Sequence, residues 1–223
     1  MHSSARDGQL VFYDLMLAWV RIVSSKYLLN PGVLLGGGIN QFAERYDFHF
    51  SAAPLSDIFS QNIDLIVDYN NLPFPDEEFD FVVSTGLLQP GSKLSCLHEV
   101  SRVLAYGGYA MIFNLSPYSI LSLQKIYAKG LPDFPELHTN TSIKSQMQRL
   151  GLDVAEEKHI AYRPILPKNK FDDLLYLELL GVTLFPMMSS CSYILFKKDG
   201  GAFDFSLGGI QLEVGDNLYR WCL

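Results

Sequence analysis

The chain has 223 residues, 48% of them hydrophobic and 18% charged, with a formal net charge of −7. That size and apolar content suit one domain with a sizeable core and exclude a disordered chain. The 17 basic against 24 acidic residues offer no general attraction to nucleic acid or to an anionic membrane. Three cysteines, Cys96, Cys191 and Cys222, are too few and too widely spaced for a disulfide framework or a zinc site. A reducing, cytoplasmic setting is the expectation, with Cys96 and Cys191 packing as small hydrophobes.

In chain order, Leu10–Leu29 is apolar but interrupted by Asp14, Arg21 and Lys26. A membrane span would need about 20 apolar residues without such charges. A signal peptide would need a cleaner apolar core and a small-residue cleavage site. Leu10, Tyr13, Leu17, Val20 and Val23 fall at helical spacing, which predicts an amphipathic helix within residues 1–30 that caps the domain. An exposed apolar face on it would instead serve a dimer or a membrane surface.

Residues Gly32–Asn40 read as a short apolar strand running into Gly36, Gly37 and Gly38. Glycine lets a backbone approach a ligand closely at a strand's carboxyl end, although a run of three glycines also makes a simple turn. The brief segment Asn40–Tyr46 leads to a second strand, Phe48–Ala52, with no carboxylate after it until Asp57.

The most informative stretch is Ile63–Pro117. Ile63–Val67 and Phe79–Ser84 are apolar runs, ended by Asp68 and by small polar residues. A helix is predicted from Lys93 to Leu104, with Ser92 as N-cap and Leu94, Leu97, Val100 and Leu104 facing the core. Gly107-Gly108 breaks it, and Tyr109–Phe113 forms a further strand closed by Asn114. Short β-branched and aromatic runs alternating with a helix argue for parallel strands joined by crossovers. Ser84 and Thr85 then lie at the carboxyl end of a central strand, where such sheets place ligands. Asp68 has a plainer use as well, capping a turn with Asn70 and Asn71.

Beyond it, Ser119–Lys129 reads as a helix and Leu131–Leu137, with Pro132 and Pro135, as a loop suited to be a lid. Thr141–Leu150 is a helix with Ile143, Met147 and Leu150 on one face, stopped by Gly151. Leu152–Tyr162 is a strand, Phe171–Leu180 a helical stretch and Ser192–Lys197 a final strand. His159, Tyr162 and Arg163 cluster near a strand end, but a single His without a partner reads as structural. Ala202–Leu207 and Ile210–Val214, split by two glycines, predict a C-terminal β-hairpin.

The ordered series Asp68, Leu72-Pro73-Phe74, Asp76, Phe79-Asp80, Val82-Val83, Glu99, Arg102-Val103-Leu104 and Gly107-Gly108 resembles the class I S-adenosylmethionine-dependent methyltransferases, most closely their type-11 group. The resemblance implies an α/β, Rossmann-like sheet of seven strands with helices on both faces, over residues 31–198. The N-terminal helix (1–30) and the hairpin (199–223) are additions to it. It further implies S-adenosylmethionine as cofactor and S-adenosylhomocysteine as product. On that footing Gly36, Gly37 and Gly38 form the cofactor loop, Gly36 and Gly38 matching the first two glycines of the family's Gly-x-Gly-x-Gly. Asp68 accepts a hydrogen bond from the adenine amino group, Tyr69 and Asn70 add stacking and amide contacts, and Ser84 and Thr85 line the methionine end. Asn114 to Pro117 would open a helix over the substrate.

Three positions depart from the family pattern. Leu34 replaces an acidic residue, Asn40 replaces the third glycine, and the second strand lacks the carboxylate that holds the ribose hydroxyls. Such charge-assisted bonds contribute roughly 1.5–3 kcal/mol, about ten- to a hundredfold in affinity. Asp57 is the candidate substitute. The function so implied is methyl transfer to a small-molecule acceptor, without nucleic acid, a metal or a membrane span, and with no catalytic side chain singled out. The alternative is a degenerate member acting as a binding or scaffold module with weak or no cofactor binding. A homodimer would form through the N-terminal helix or the C-terminal hairpin.

Overall fold

The structure, a computed structural model, describes residues 2–29, 32–36, 48, 50–53, 64–85, 94, 96–116, 138–160 and 189–199. The elements are α1 (His2–Tyr27), β1 (Val33–Leu35), β2 (Phe50–Ala53), β3 (Leu65–Ile66), β4 (Phe79–Ser84), α2 (Cys96–Val103), β5 (Leu104–Leu115), α3 (Asn140–Arg149), β6 (Leu152–Ile160) and β7 (Cys191–Lys198). They build one seven-stranded sheet in the order β3-β2-β1-β4-β5-β7-β6. The first five strands of that order are parallel, and β7 runs antiparallel between β5 and β6. This is the seven-stranded Rossmann-like sheet that the resemblance implied. The expected hairpin, the helical stretches 119–129 and 171–180 and the loop 131–137 lie outside the described residues.

Strand alternation divides the core into two layers. Leu34, Phe81, Val83, Met111, Phe113, Tyr193 and Leu195 share one cluster with Met16, Leu17, Val20 and Val23 of α1. Their neighbours Val33, Leu35, Val82, Ala110, Ile112, Ile194 and Phe196 share the other with residues of α2 and α3, among them Leu97, Val100, Ile143 and Met147. Helices therefore cover both faces. Gly32 enters β1 so close to β4 that a Cβ there would lie 1.6 Å from the Phe81 carbonyl oxygen, so only glycine fits.

Two bulges adjust these layers. In β6 the register slips between Val154 and Glu156, which turns the rest of the strand over. Leu152 and Val154 face α2 and α3, whereas Ile160 joins the α1 layer. Glu156 is thereby brought to α1, where it accepts hydrogen bonds from Tyr27 Oη at 3.2 Å and Tyr193 Oη at 2.7 Å and pairs with Lys26 at 2.5 Å. The Lys158 ammonium lies 4.1 Å from the centre of the Trp19 ring.

In β5 the slip corrects the sequence reading. Gly107-Gly108 does not end the helix, because α2 stops at Val103 and Leu104 already pairs with Phe79. The glycines form a bulge inside the strand, Gly107 at φ 78°, and a Cβ on Gly108 would meet the Asp80 and Ala105 carbonyls at 2.9 Å. The third strand is also shorter than its apolar run, since only Leu65–Ile66 pairs, at the sheet edge, and both residues are exposed.

Candidate functional site

The chain leaves β1 toward β2 and β3 on one side and returns to β4 and β5 on the other, so the topological switch lies between β1 and β4. In open α/β sheets the crevice outside the carboxyl ends at that point receives ligands. Here Gly36 N–H donates to Ala52 O at 3.2 Å and Thr85 N–H to Leu35 O at 2.9 Å, holding the ends of β2, β1 and β4 level. Ser84 is 1% exposed, and neither its Oγ nor the buried Thr85 Oγ1 has a hydrogen-bond partner. A buried hydroxyl left unpaired costs about 1–3 kcal/mol, and two such groups follow one another in the chain at the switch. Gly37, Gly38 and Asp57 lie outside the described residues.

Asp68 follows β3 at the same edge and is exposed. Its Oδ1 accepts from Asn70 N–H at 2.9 Å and Asn70 Nδ2 at 3.0 Å, and its carbonyl accepts from Asn71 N–H at 3.0 Å. The turn-capping use of Asp68 is thus present, and it occupies about half of the acceptor capacity of a carboxylate. Tyr69 is 4% exposed and shares the core cluster of Leu72 and Leu97.

The loop after this turn is fixed by α2. Arg102 holds both oxygens of Glu99, with Nε to Oε1 at 2.9 Å and Nη2 to Oε2 at 2.8 Å. The same guanidinium donates to Leu72 O at 2.9 Å, Phe74 O at 2.8 Å and Asp76 Oδ1 at 2.5 Å. Glu99 also accepts from Leu72 N–H at 2.8 Å. The Arg102 donors hold the Glu99 carboxyl below the usual carboxylate range, and Glu99 and Asp76 in turn raise Arg102. The motif that carries the family resemblance is therefore a clamp that sets the Leu72-Pro73-Phe74 loop beside Asp68. His98 is exposed on α2.

A second polar group occupies the carboxyl ends of β5 and β6 and the amino end of β7. Asn114, 3% exposed, donates through Nδ2 to His138 O at 2.8 Å and to Asn140 Oδ1 at 2.7 Å. Asn140 Nδ2 donates to Glu157 Oε1 and Ser192 Oγ, each at 2.8 Å. Burial pushes Glu157 up, but the Lys144 ammonium, 2.8 Å away, and the Asn140 amide outweigh it, and its carboxyl sits below the usual range. His159 Nδ1 is 2.9 Å from Ser189 Oγ, so it has the partner that the sequence did not reveal. Tyr162 and Arg163 lie outside the described residues. His138 Nε2 is buried without a partner.

Sequence reasoning missed Asn114, His138 and Asn140 as a group. Their spacing carries no motif, and only the packing of the segment that opens α3 against the end of β5 brings them together. The thiols of Cys96 and Cys191 are buried, Cys96 pushed up to about 11 and Cys191 further, both by burial. Among the described residues no cluster of His, Cys, Asp and Glu could hold a metal, and no helix is long and apolar enough to cross a membrane.

A family model described as a methyltransferase domain matches residues 45–112. No curated protein matches the chain in sequence. Among solved structures, the fold is similar to an S-adenosylmethionine-dependent methyltransferase from Thermotoga maritima, described as a possible histamine N-methyltransferase. The TM-score is 0.55 at 18% identity, over 79% of this chain and 86% of that one. A candidate sarcosine dimethylglycine methyltransferase from Galdieria sulphuraria matches at TM-score 0.52 and 15% identity, over 85% and 86% of the two chains. The [4+2]-cyclase SpnF matches at 0.53 and 14%, over 82% and 80%. At these identities the structures establish the fold. Together with the match over residues 45–112, they bear out the resemblance to the type-11 group of class I methyltransferases, whose cofactor is S-adenosylmethionine.

Proposed function

We propose that the chain transfers a methyl group from S-adenosylmethionine to a small-molecule acceptor at the carboxyl edge of its sheet. The observation that carries this reading is the pair of buried, unpartnered hydroxyls of Ser84 and Thr85 at the switch between β1 and β4. They fit the polar methionine end of the cofactor. Gly36 would admit its backbone-facing side, and Asp68, with Asn70 beside it, would accept from the adenine amino group. When bound, the cofactor supplies a methyl group already activated on a sulfonium, so the protein's contribution is proximity and in-line orientation. Because two similar folds carry names that mention histamine and sarcosine, small amines are the acceptors to assay first. A cytoplasmic setting accords with the unpaired thiols, and a second copy would find Ile22 and Leu28 exposed on and beside α1.

Calorimetric titration with S-adenosylhomocysteine tests the reading. Micromolar binding by the wild-type chain is expected, weakened ten- to a hundredfold in Asp68→Ala. Failure to bind at millimolar ligand overturns it. A second reading, a binding module that keeps the fold, is favoured by one observation. β2 ends in Ala52-Ala53, so the strand itself offers no carboxylate for the ribose.

A further inference from the structure

We infer that His138 is the residue that contacts the methyl acceptor, accepting through Nε2 the proton of an amine or hydroxyl nucleophile. The inference rests on the methyl-transfer reading above and adds a catalytic residue to it. His138 is fixed from both sides. Asn114 Nδ2 holds its carbonyl at 2.8 Å, and Thr139 beside it caps α3, its hydroxyl accepting from Ser142 N–H at 3.3 Å. Its Nε2 is nonetheless buried and unpartnered, although the other polar side chains around it are engaged. Asn140 and Ser192 bind each other, Glu157 binds Lys144, and His159 meets Ser189.

The strand register gives the position its meaning. Ser84 pairs with Ile112 in the parallel β4–β5 ladder, which sets Thr85 level with Phe113, one residue short of Asn114. Adjacent strands lie about 4.8 Å apart and Asn114 holds the His138 carbonyl, so Ser84, Thr85 and His138, each with an unpartnered buried atom, follow one another along the carboxyl edge. Ser84 and Thr85 stand at the end of β4, beside the switch, and His138 stands beyond β5, where an acceptor would lie. A neutral imidazole offers one nitrogen as acceptor, and it would be Nε2 that faces the nucleophile. In the transfer, the nucleophile's lone pair forms the new bond to the methyl carbon. The carbon–sulfur bond breaks with its electron pair left on sulfur, giving S-adenosylhomocysteine, and the proton of the N–H or O–H passes to Nε2. Acceptors that must lose a proton, primary or secondary amines and hydroxyl compounds, are therefore the class expected.

The test needs no identified acceptor. The five histidines are labelled with 15N and their imidazole spectra recorded with S-adenosylhomocysteine and with sinefungin. Sinefungin carries an amine where the cofactor carries its methyl group. His138, identified by His138→Gln, is expected to be the imidazole whose resonances differ between the two complexes. The preference for sinefungin over S-adenosylhomocysteine is expected to fall about tenfold in that variant, with S-adenosylhomocysteine affinity itself unchanged. Binding of both ligands with identical His138 resonances would overturn the assignment and leave the methyl-transfer reading standing. Binding of neither would remove both.

Discussion

The Arg102 clamp and the carboxyl edge are both polar regions beside the same loops, and they are built in opposite ways. In the clamp, Glu99 engages both oxygens and Arg102 reaches two carboxylates and two carbonyls. At the edge, Ser84 Oγ, Thr85 Oγ1 and His138 Nε2 are buried with nothing to bind. Native proteins pair nearly all their buried polar atoms, so the saturated group is explained by stability and the unsaturated one is not. The most charged cluster in a family motif is here the scaffold. The quieter hydroxyls and imidazole are the candidates for chemistry.

Substitutions separate the two regions. The largest effect is expected for Glu99→Ala, which strips Arg102 of its bidentate partner and leaves Leu72 N–H unpaired. A loss of about 2–4 kcal/mol is predicted, read from urea unfolding, and a loss below about 1 kcal/mol would break the contrast. Thr85→Val should do the reverse. Replacing an unpartnered hydroxyl by a methyl leaves stability unchanged or raises it by up to about 1 kcal/mol, while S-adenosylhomocysteine affinity falls about tenfold, or about 1.4 kcal/mol. If stability fell instead and affinity held, the hydroxyl would belong with the scaffold.

The smallest effect is expected at Glu156, which ties α1 to β6. The Lys26 ammonium, then the Tyr193 hydroxyl, holds its carboxyl below the usual range. A depressed carboxylate contributes stability that is present above the ordinary value of about 4.3 and is lost as pH falls below it. Lys26 is 55% exposed, and solvent screening keeps such a pair weak. Glu156→Gln should lower the melting temperature slightly at pH 7 and flatten its fall as the pH drops below about 4.3. An equally steep acid limb in the variant would assign that fall to Glu99 and Glu157.

Much of the fold was legible because its signals are local. β4 spans Phe79–Ser84, the apolar run read in the sequence, and α3 lies within one residue of the predicted helix. The misreadings are tertiary in origin. Gly107-Gly108 resembles a helix stop, yet the pairing of Leu104 with Phe79 draws the strand back to the end of α2. Ile63–Val67 is apolar enough for a full strand, but at the sheet edge it has one neighbour and pairs over two residues. For the site, Asp68, Ser84 and Thr85 were visible as strand ends. Asn114 was visible as a strand end too, but its grouping with His138 and Asn140 was not, because a 2.8 Å contact between residues 24 apart in the chain leaves no periodic trace.

A crystal structure of the chain with S-adenosylhomocysteine tests the central claim most directly. The predicted result places the adenine beside Asp68 and the methionine end against Ser84 and Thr85, with their hydroxyls hydrogen-bonded to it. A ligand bound elsewhere, or those hydroxyls still unpartnered beside a bound ligand, would contradict the account.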